Sequence, residues 1–405
     1  MQSKTNLSSN KCFKAINFYT SAPPVLYLLT ILIRTRHSIS YFPADPGYEL
    51  VRQALEKPLT QIFSDYNWQY FYVIPRFLCE IVILFPVKFH ALVMGILINL
   101  VWVLCALFIK LVISQTTSSN RIGLVSGLIL MLSPVASESS LGNYGNVKWP
   151  LTVLIVVCFT SQELVTNKFK WLIPLTIAIG LSTPLLFVCI IPLMINQVKH
   201  KFIEWRKSVS LIMICLATSM AQVFASGGLS SAAKGWGSSR IYSLSGLGKF
   251  WWFGQTAPIL FSLAAILGIY VNKNLARDRR SMILGTSLSA ITIALLSFYL
   301  GGVADRYFTA PLTLSLIALL ISLTINPWKK TSLISRIITT LLLVVILVPT
   351  VKWFDAGWYL TSGPTWMSEV KKATQVCSDG QFTEVSLHVS PSGMEVLNCK
   401  HLSNP

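Results

Sequence analysis

The chain has 405 residues, 53% of them hydrophobic and only 12% charged, with 33 Lys and Arg against 15 Asp and Glu. A soluble domain carries roughly a quarter charged residues, so this composition excludes an ordinary water-soluble enzyme. The net charge of +18 sits mainly in short loops between apolar runs, which points away from a nucleic-acid partner.

The polar segment 1–18 has no apolar stretch ahead of a small-residue cleavage site, and no cleaved signal peptide is expected. Beyond it, apolar windows predict an all-α polytopic membrane protein of about eleven transmembrane helices. They fall at 20–34, 90–113, 122–136, 149–165, 171–184, 185–197, 208–226, 252–271, 281–301, 308–325 and 337–352. With the N-terminus inside, more than half of the basic residues fall in cytoplasmic segments, where only Glu163, Glu204 and Asp278 are acidic. That is the positive-inside distribution. Residues 171–197 contain Pro174, Gly180, Pro184 and Pro192, and a hairpin turning at Gly180 to Pro184 preserves the charge pattern.

The expected organisation is a membrane domain, 1–352, with a long first outer loop, 36–89, and a small extracytoplasmic tail domain, 353–405. In that loop, Tyr48, Val51, Ala54 and Leu55 follow helical spacing, so a surface helix on the membrane is expected. Residues 70–86 are apolar but interrupted by Pro75, Arg76 and Glu80. They read as a re-entrant or interfacial helix, with Glu80 paired to Arg76. The tail's alternating stretches predict a hairpin. Cys377 and Cys399, both in the tail, make a plausible disulfide on the oxidising side. Cys79, Cys105, Cys158, Cys189 and Cys215 sit among apolar residues and read as core.

Several polar residues could carry chemistry on the outer face. Asp45, just before Pro46, is either an ordinary helix N-cap or a general base at the lipid boundary. Asp65 is a second acidic candidate, in a turn-like setting. Glu138, Asn143 and Asn146 lie in a short loop that either connects helices or binds sugar hydroxyls. Arg76 and Arg306 are costly at membrane depth unless partnered; Arg306 either pairs with Asp305 or meets an anionic ligand, for which guanidinium forks suit phosphate. His37, His90, His200, His388 and His401 have no metal-ligand spacing, and no metal site is expected. A transporter is the rival reading, with no matched pair of broken spans to support it.

The layout resembles the GT-C superfamily of membrane glycosyltransferases, which includes bacterial lipid-A aminoarabinose transferases and protein O-mannosyltransferases. The resemblance lies in "ADPGYELVRQALEKP" after the first span, "FP" at Phe85 and Pro86, "LSP" at Leu132 to Pro134, and "RY…AP" around Arg306, Tyr307 and Pro311. It implies an inverting transfer of a sugar from a polyprenyl-phosphate donor to a lipid or glycan acceptor, without a certain cofactor. Asp45 would be the base, with Glu138 and Asp65 as further acidic candidates. Arg306, Tyr307 and Arg76 would hold the donor phosphate, and Asn143 and Asn146 the sugar or acceptor. Such a protein is expected in a bacterial inner (plasma) membrane, among membrane lipids. One departure is that Pro46 follows Asp45 where many members have a second acidic residue.

Overall fold

Apolar runs can satisfy their backbone polar groups without water only by bonding them internally, and here they do so as helices. The computed structural model describes residues 22–42, 48–57, 71–133, 141, 143–199, 205–225, 249–271, 275–299, 308–324, 363–389 and 393–402. The first helices are α1 (Ala22–Thr35), α2 (Glu49–Glu56), α3 (Val73–Val82), α4 (His90–Thr117) and α5 (Asn120–Leu132). Next come α6 (Lys148–Thr160), α7 (Gln162–Asn167), α8 (Phe169–Gly180), α9 (Ile190–Lys199) and α10 (Trp205–Ala225). They are followed by α11 (Lys249–Val271), α12 (Arg277–Tyr299), α13 (Thr309–Thr324) and α14 (Trp366–Ser378). The antiparallel strands β1 (Glu384–Val389) and β2 (Gly393–Asn398) close the described chain.

Helix α6 is apolar on every side, and a helix of that kind is stable only when enclosed. Its residues from Trp149 to Thr160 are all buried, and α4, α8, α9, α12 and α13 pack round it. The outer helices show the opposite pattern. On α4, Leu92, Ile96, Leu100, Leu104 and Phe108 are exposed; their spacing of four puts them on one face. On α10, Val209, Met213, Leu216, Met220 and Phe224 form a second exposed stripe. Uncovered apolar stripes of this length suit hydrocarbon, not water.

Close helix contacts in this bundle use small residues. Tyr27 of α1 donates its hydroxyl to the Leu124 carbonyl at 2.9 Å, which fixes the ring over Gly127 of α5. A Cβ at Gly127 would lie 2.5 Å from the Tyr27 Cζ and 3.0 Å from the Ala106 carbonyl.

The eleven-span expectation does not hold. Among the described residues, three helices are long and apolar enough to cross a membrane: Val87–Thr117, Trp205–Ala225 and Arg277–Ser297. Ala22–Thr35, Asn120–Leu132, Tyr144–Thr160, Phe169–Gly180, Leu185–Val198, Thr256–Tyr270 and Thr309–Leu323 are apolar but shorter. At about 1.5 Å per residue these described stretches fall short of the roughly 30 Å of hydrocarbon, although Thr256–Tyr270 lies within the 23-residue helix α11. The apolar windows outrun the helices inside them. The window 122–136 stops being helix at Leu132, before Ser133 and Pro134, because a residue before proline is pushed out of the α region. The window 149–165 breaks at Ser161, which is extended and caps α7 through its hydroxyl. The expected span 337–352 lies outside the described residues.

One end of the bundle, the loop face, carries α2, α3, the turn Tyr144–Asn146 and the tail unit. Tyr48, Val51 and Ala54 are buried, but against α3 rather than facing lipid. Helix α14 packs on β1, and a disulfide joins Cys377 to Cys399 across a Cα–Cα distance of 5.5 Å. Trp366 docks this unit: its indole N–H donates to the Val87 carbonyl at 2.7 Å, and its ring lies 4.8 Å from Tyr48 and 5.1 Å from Phe42. Tyr48 in turn donates to His90 Nδ1 at 2.6 Å, while His90 Nε2 donates to the Phe85 carbonyl at 2.8 Å. The carbonyl can only accept, which fixes both the tautomer and the direction of the Tyr48 bond.

Candidate functional site

The start of α3 is the most constrained point on the loop face. Tyr72, its N-cap, adopts the left-handed conformation (φ 49, ψ 44). For a bulky residue this is an outlier, which persists only when its surroundings over-determine it. They do so here on both sides. The Phe71 N–H donates to Gln222 Oε1 at 3.1 Å, and Gln222 Nε2 donates to the Gly180 carbonyl at 3.2 Å. The Val73 N–H reaches the Leu181 carbonyl at 3.3 Å, and the Ile74 N–H reaches Ser182 Oγ at 2.9 Å. Thus α10 and the turn after α8 both hold the strained peptide.

Two cations converge on that turn. Arg76, only 2% exposed, donates from Nε to the Phe71 carbonyl at 2.8 Å and from Nη1 to Gln53 Oε1 at 3.1 Å. Gln53 then donates to Glu49 Oε1 at 2.8 Å. Lys148, half-buried at the start of α6, lies 5.8 Å from the Tyr72 ring centroid and 5.4 Å from that of Trp149, within cation–π range. The loop before α6 is shaped by Asn143, whose Oδ1 accepts the Gly145 N–H at 2.9 Å and caps the turn Tyr144–Asn146. Asn143 and Asn146 are 1% and 4% exposed.

The structure therefore brings Arg76, Asn143 and Asn146 into the loop face. Asp45, Asp65, Glu138, Arg306 and Tyr307 lie outside the described residues. The expected Arg76–Glu80 pair does not form, because Arg76 turns back toward Phe71 and Gln53. Glu80 Oε1 is buried without a hydrogen bond among the described residues, and burial pushes its carboxyl above the usual range. Sequence reasoning missed Tyr72, Gln53 and Gln222. An aromatic before a Pro- and Arg-broken apolar run was the available signal for Tyr72; nothing local marks either glutamine. Among the described residues no group of three or more His, Cys, Asp or Glu could hold a metal ion.

Long apolar helices with exposed apolar stripes define an integral membrane protein. No protein family, curated protein or solved structure matches the chain. The glycosyltransferase expectation is overturned along with its scaffold. A GT-C enzyme needs a many-span membrane architecture, and only three described helices are able to cross. The inverting, polyprenyl-phosphate-dependent sugar transfer read from that resemblance, and the alternative of a lipid-linked-sugar transporter, lose their basis.

Proposed function

We propose that the protein binds the net-anionic phosphate headgroup of a membrane lipid at the corner formed by Tyr72, Arg76 and Lys148. The observation that carries this reading is the convergence of a guanidinium and an ammonium on one strained turn. Arg76, held by the Phe71 carbonyl and Gln53, supplies a fixed positive charge behind the turn, and Lys148 supplies a compact ammonium on a flexible stem. The turn that both cations approach is held from both sides, which lowers the ordering cost of binding.

We place the loop face outside the cytoplasm, with the N-terminus inside and the C-terminus outside, in a bacterial plasma membrane. Support comes from the opposite ends of the helices, which carry Arg121, Lys168, Lys170, Arg206, Lys207, Arg277, Arg279 and Arg280 against Glu163 and Asp278. The Cys377–Cys399 disulfide belongs to an oxidising compartment such as a periplasm.

The test is native mass spectrometry of the protein released from nanodiscs of mixed phosphatidylglycerol and phosphatidylcholine, with inorganic phosphate as a soluble competitor. The expected result is preferential retention of phosphatidylglycerol, weakened roughly tenfold in Lys148→Gln, the size of one lost charge-assisted hydrogen bond. Equal retention of the two lipids, or retention unchanged in Lys148→Gln, contradicts the reading. Displacement of the lipid by millimolar phosphate would assign the corner to a free anion instead.

A further inference from the structure

The tail hairpin has one covered edge and one open edge. The Cys399 N–H donates to the Thr383 carbonyl at 2.9 Å, and in the register Leu387 stands opposite Glu395 and Ser386 opposite Val396. In an antiparallel pair, hydrogen-bonded and non-bonded positions alternate. Val385, Leu387 and Val389 therefore bond across to β2, while Ser386 and His388 on β1, and Met394, Val396 and Asn398 on β2, turn their backbone groups outward. On the β1 side the outward His388 N–H is taken by Glu369 Oε2 of α14 at 3.2 Å. On the β2 side, among the described residues, no hydrogen bond reaches the outward groups of Met394 or Val396. Their side chains are 62% and 44% exposed.

Soluble edges are normally blunted by lysine, proline, a bulge or a covering element. The outward positions Met394, Val396 and Asn398 carry no charge and no proline. We propose that the β2 edge is the contact between two copies of this chain in the membrane, joining their hairpins into one four-stranded antiparallel sheet. Symmetry argues for a second copy. Antiparallel neighbours related by a two-fold axis perpendicular to the sheet present the same face. The inner face here, with Leu387, Val389 and Leu397 buried and the Glu395 carboxylate accepting the Tyr48 N–H, is turned toward the bundle. Two copies in one membrane share their orientation and are related by an axis along the membrane normal, which such a sheet satisfies. Centring on Val396 sets it against the partner's Val396 and sets Met394 against the partner's Asn398, with no like charges opposed. A lone two-stranded hairpin is marginal, and four strands are not.

Hydrogen-bonded partners lie about 5.5 Å apart at Cα, within disulfide reach. Val396→Cys, oxidised with copper phenanthroline in native membranes, is expected to give a covalent dimer, and the exposed Phe382→Cys control is not. Val396→Pro removes one outward N–H without touching the ladder to β1. It is expected to keep the Cys377–Cys399 bond and shift the protein from dimer to monomer in single-molecule photobleaching. A monomeric wild type, a Val396→Pro variant that stays dimeric, or no cross-link through Val396→Cys overturns the proposal. So does a photo-reactive group at Met394 that captures a different protein. Should Val396→Pro lose the disulfide, the cysteine cross-link alone decides.

Discussion

The bundle and the loop face satisfy their polar groups in opposite ways. In the bundle, hydroxyls mostly bond within their own helix: Thr152 to the Lys148 carbonyl at 2.7 Å, Thr286 to Met282 at 2.7 Å, and Thr313 to Thr309 at 2.7 Å. On the loop face, polar groups reach far along the chain: Trp366 to Val87, Phe71 to Gln222, Arg76 to Gln53 and Tyr48 to His90. A lipid environment offers no water to a stray polar group, so most bundle hydroxyls bond to their own helix, with cross-helix bonds such as Tyr27 to Leu124 and Ser322 to Ala265 as the exceptions. The loop face gets its shape from directional bonds and can therefore hold a strained residue such as Tyr72. Specific chemistry belongs where geometry is fixed by such bonds.

Trp366→Ala tests the loop face hardest. It removes a fully buried indole, its bond to Val87 and its contacts with Tyr48 and Phe42. A loss of about 3–5 kcal/mol is expected, read as undocking of the tail by limited proteolysis while the α4–α6 region stays protected. Protection lost equally in both regions would merge the two halves of the comparison.

Gly127→Ala tests the bundle. The Tyr27 ring cannot retreat without losing its bond to Leu124, so overpacking of about 1–3 kcal/mol is expected. The check is thermal unfolding in detergent, with the tail's proteolysis pattern unchanged.

The smallest effect concerns Glu395. Burial raises its carboxyl, the Glu49 charge raises it further, and the Tyr48 N–H and Arg52 oppose them. A raised folded-state value means that its contribution to stability is present at low pH and lost as pH rises through that value. Glu395→Gln, always neutral, is expected to raise the tail's unfolding temperature at pH 7. The gain should shrink as pH falls through the carboxylate range, where Glu395 itself becomes protonated. A gain independent of pH would remove ionisation as its cause.

The same contrast explains what could be read from sequence. Apolar runs announce helices and a membrane, and two cysteines 22 residues apart in a short polar tail announced their bond. The number of crossings did not follow, because hydropathy continues through Ser133 and Ser161 where the helices stop. Of the candidate site, Arg76, Asn143, Asn146 and the outer-face cation Lys148 were legible, because their polarity or charge is out of place locally. The bonds that hold the surrounding backbone come from distant segments: Gln222 lies 151 residues from Phe71, and Trp366 lies 279 from Val87. No periodicity or spacing encodes contacts of that kind.

The most direct test of the account is to map where a lipid headgroup meets the protein. Phosphatidic acid carrying a photoactivatable group beside its phosphate would be cross-linked in nanodiscs and the labelled peptides sequenced. Label is expected to concentrate in 71–82 and 143–149 and to be greatly reduced in Lys148→Gln. Label spread along the exposed stripes of α4 and α10, with none at the Tyr72 turn, would contradict it.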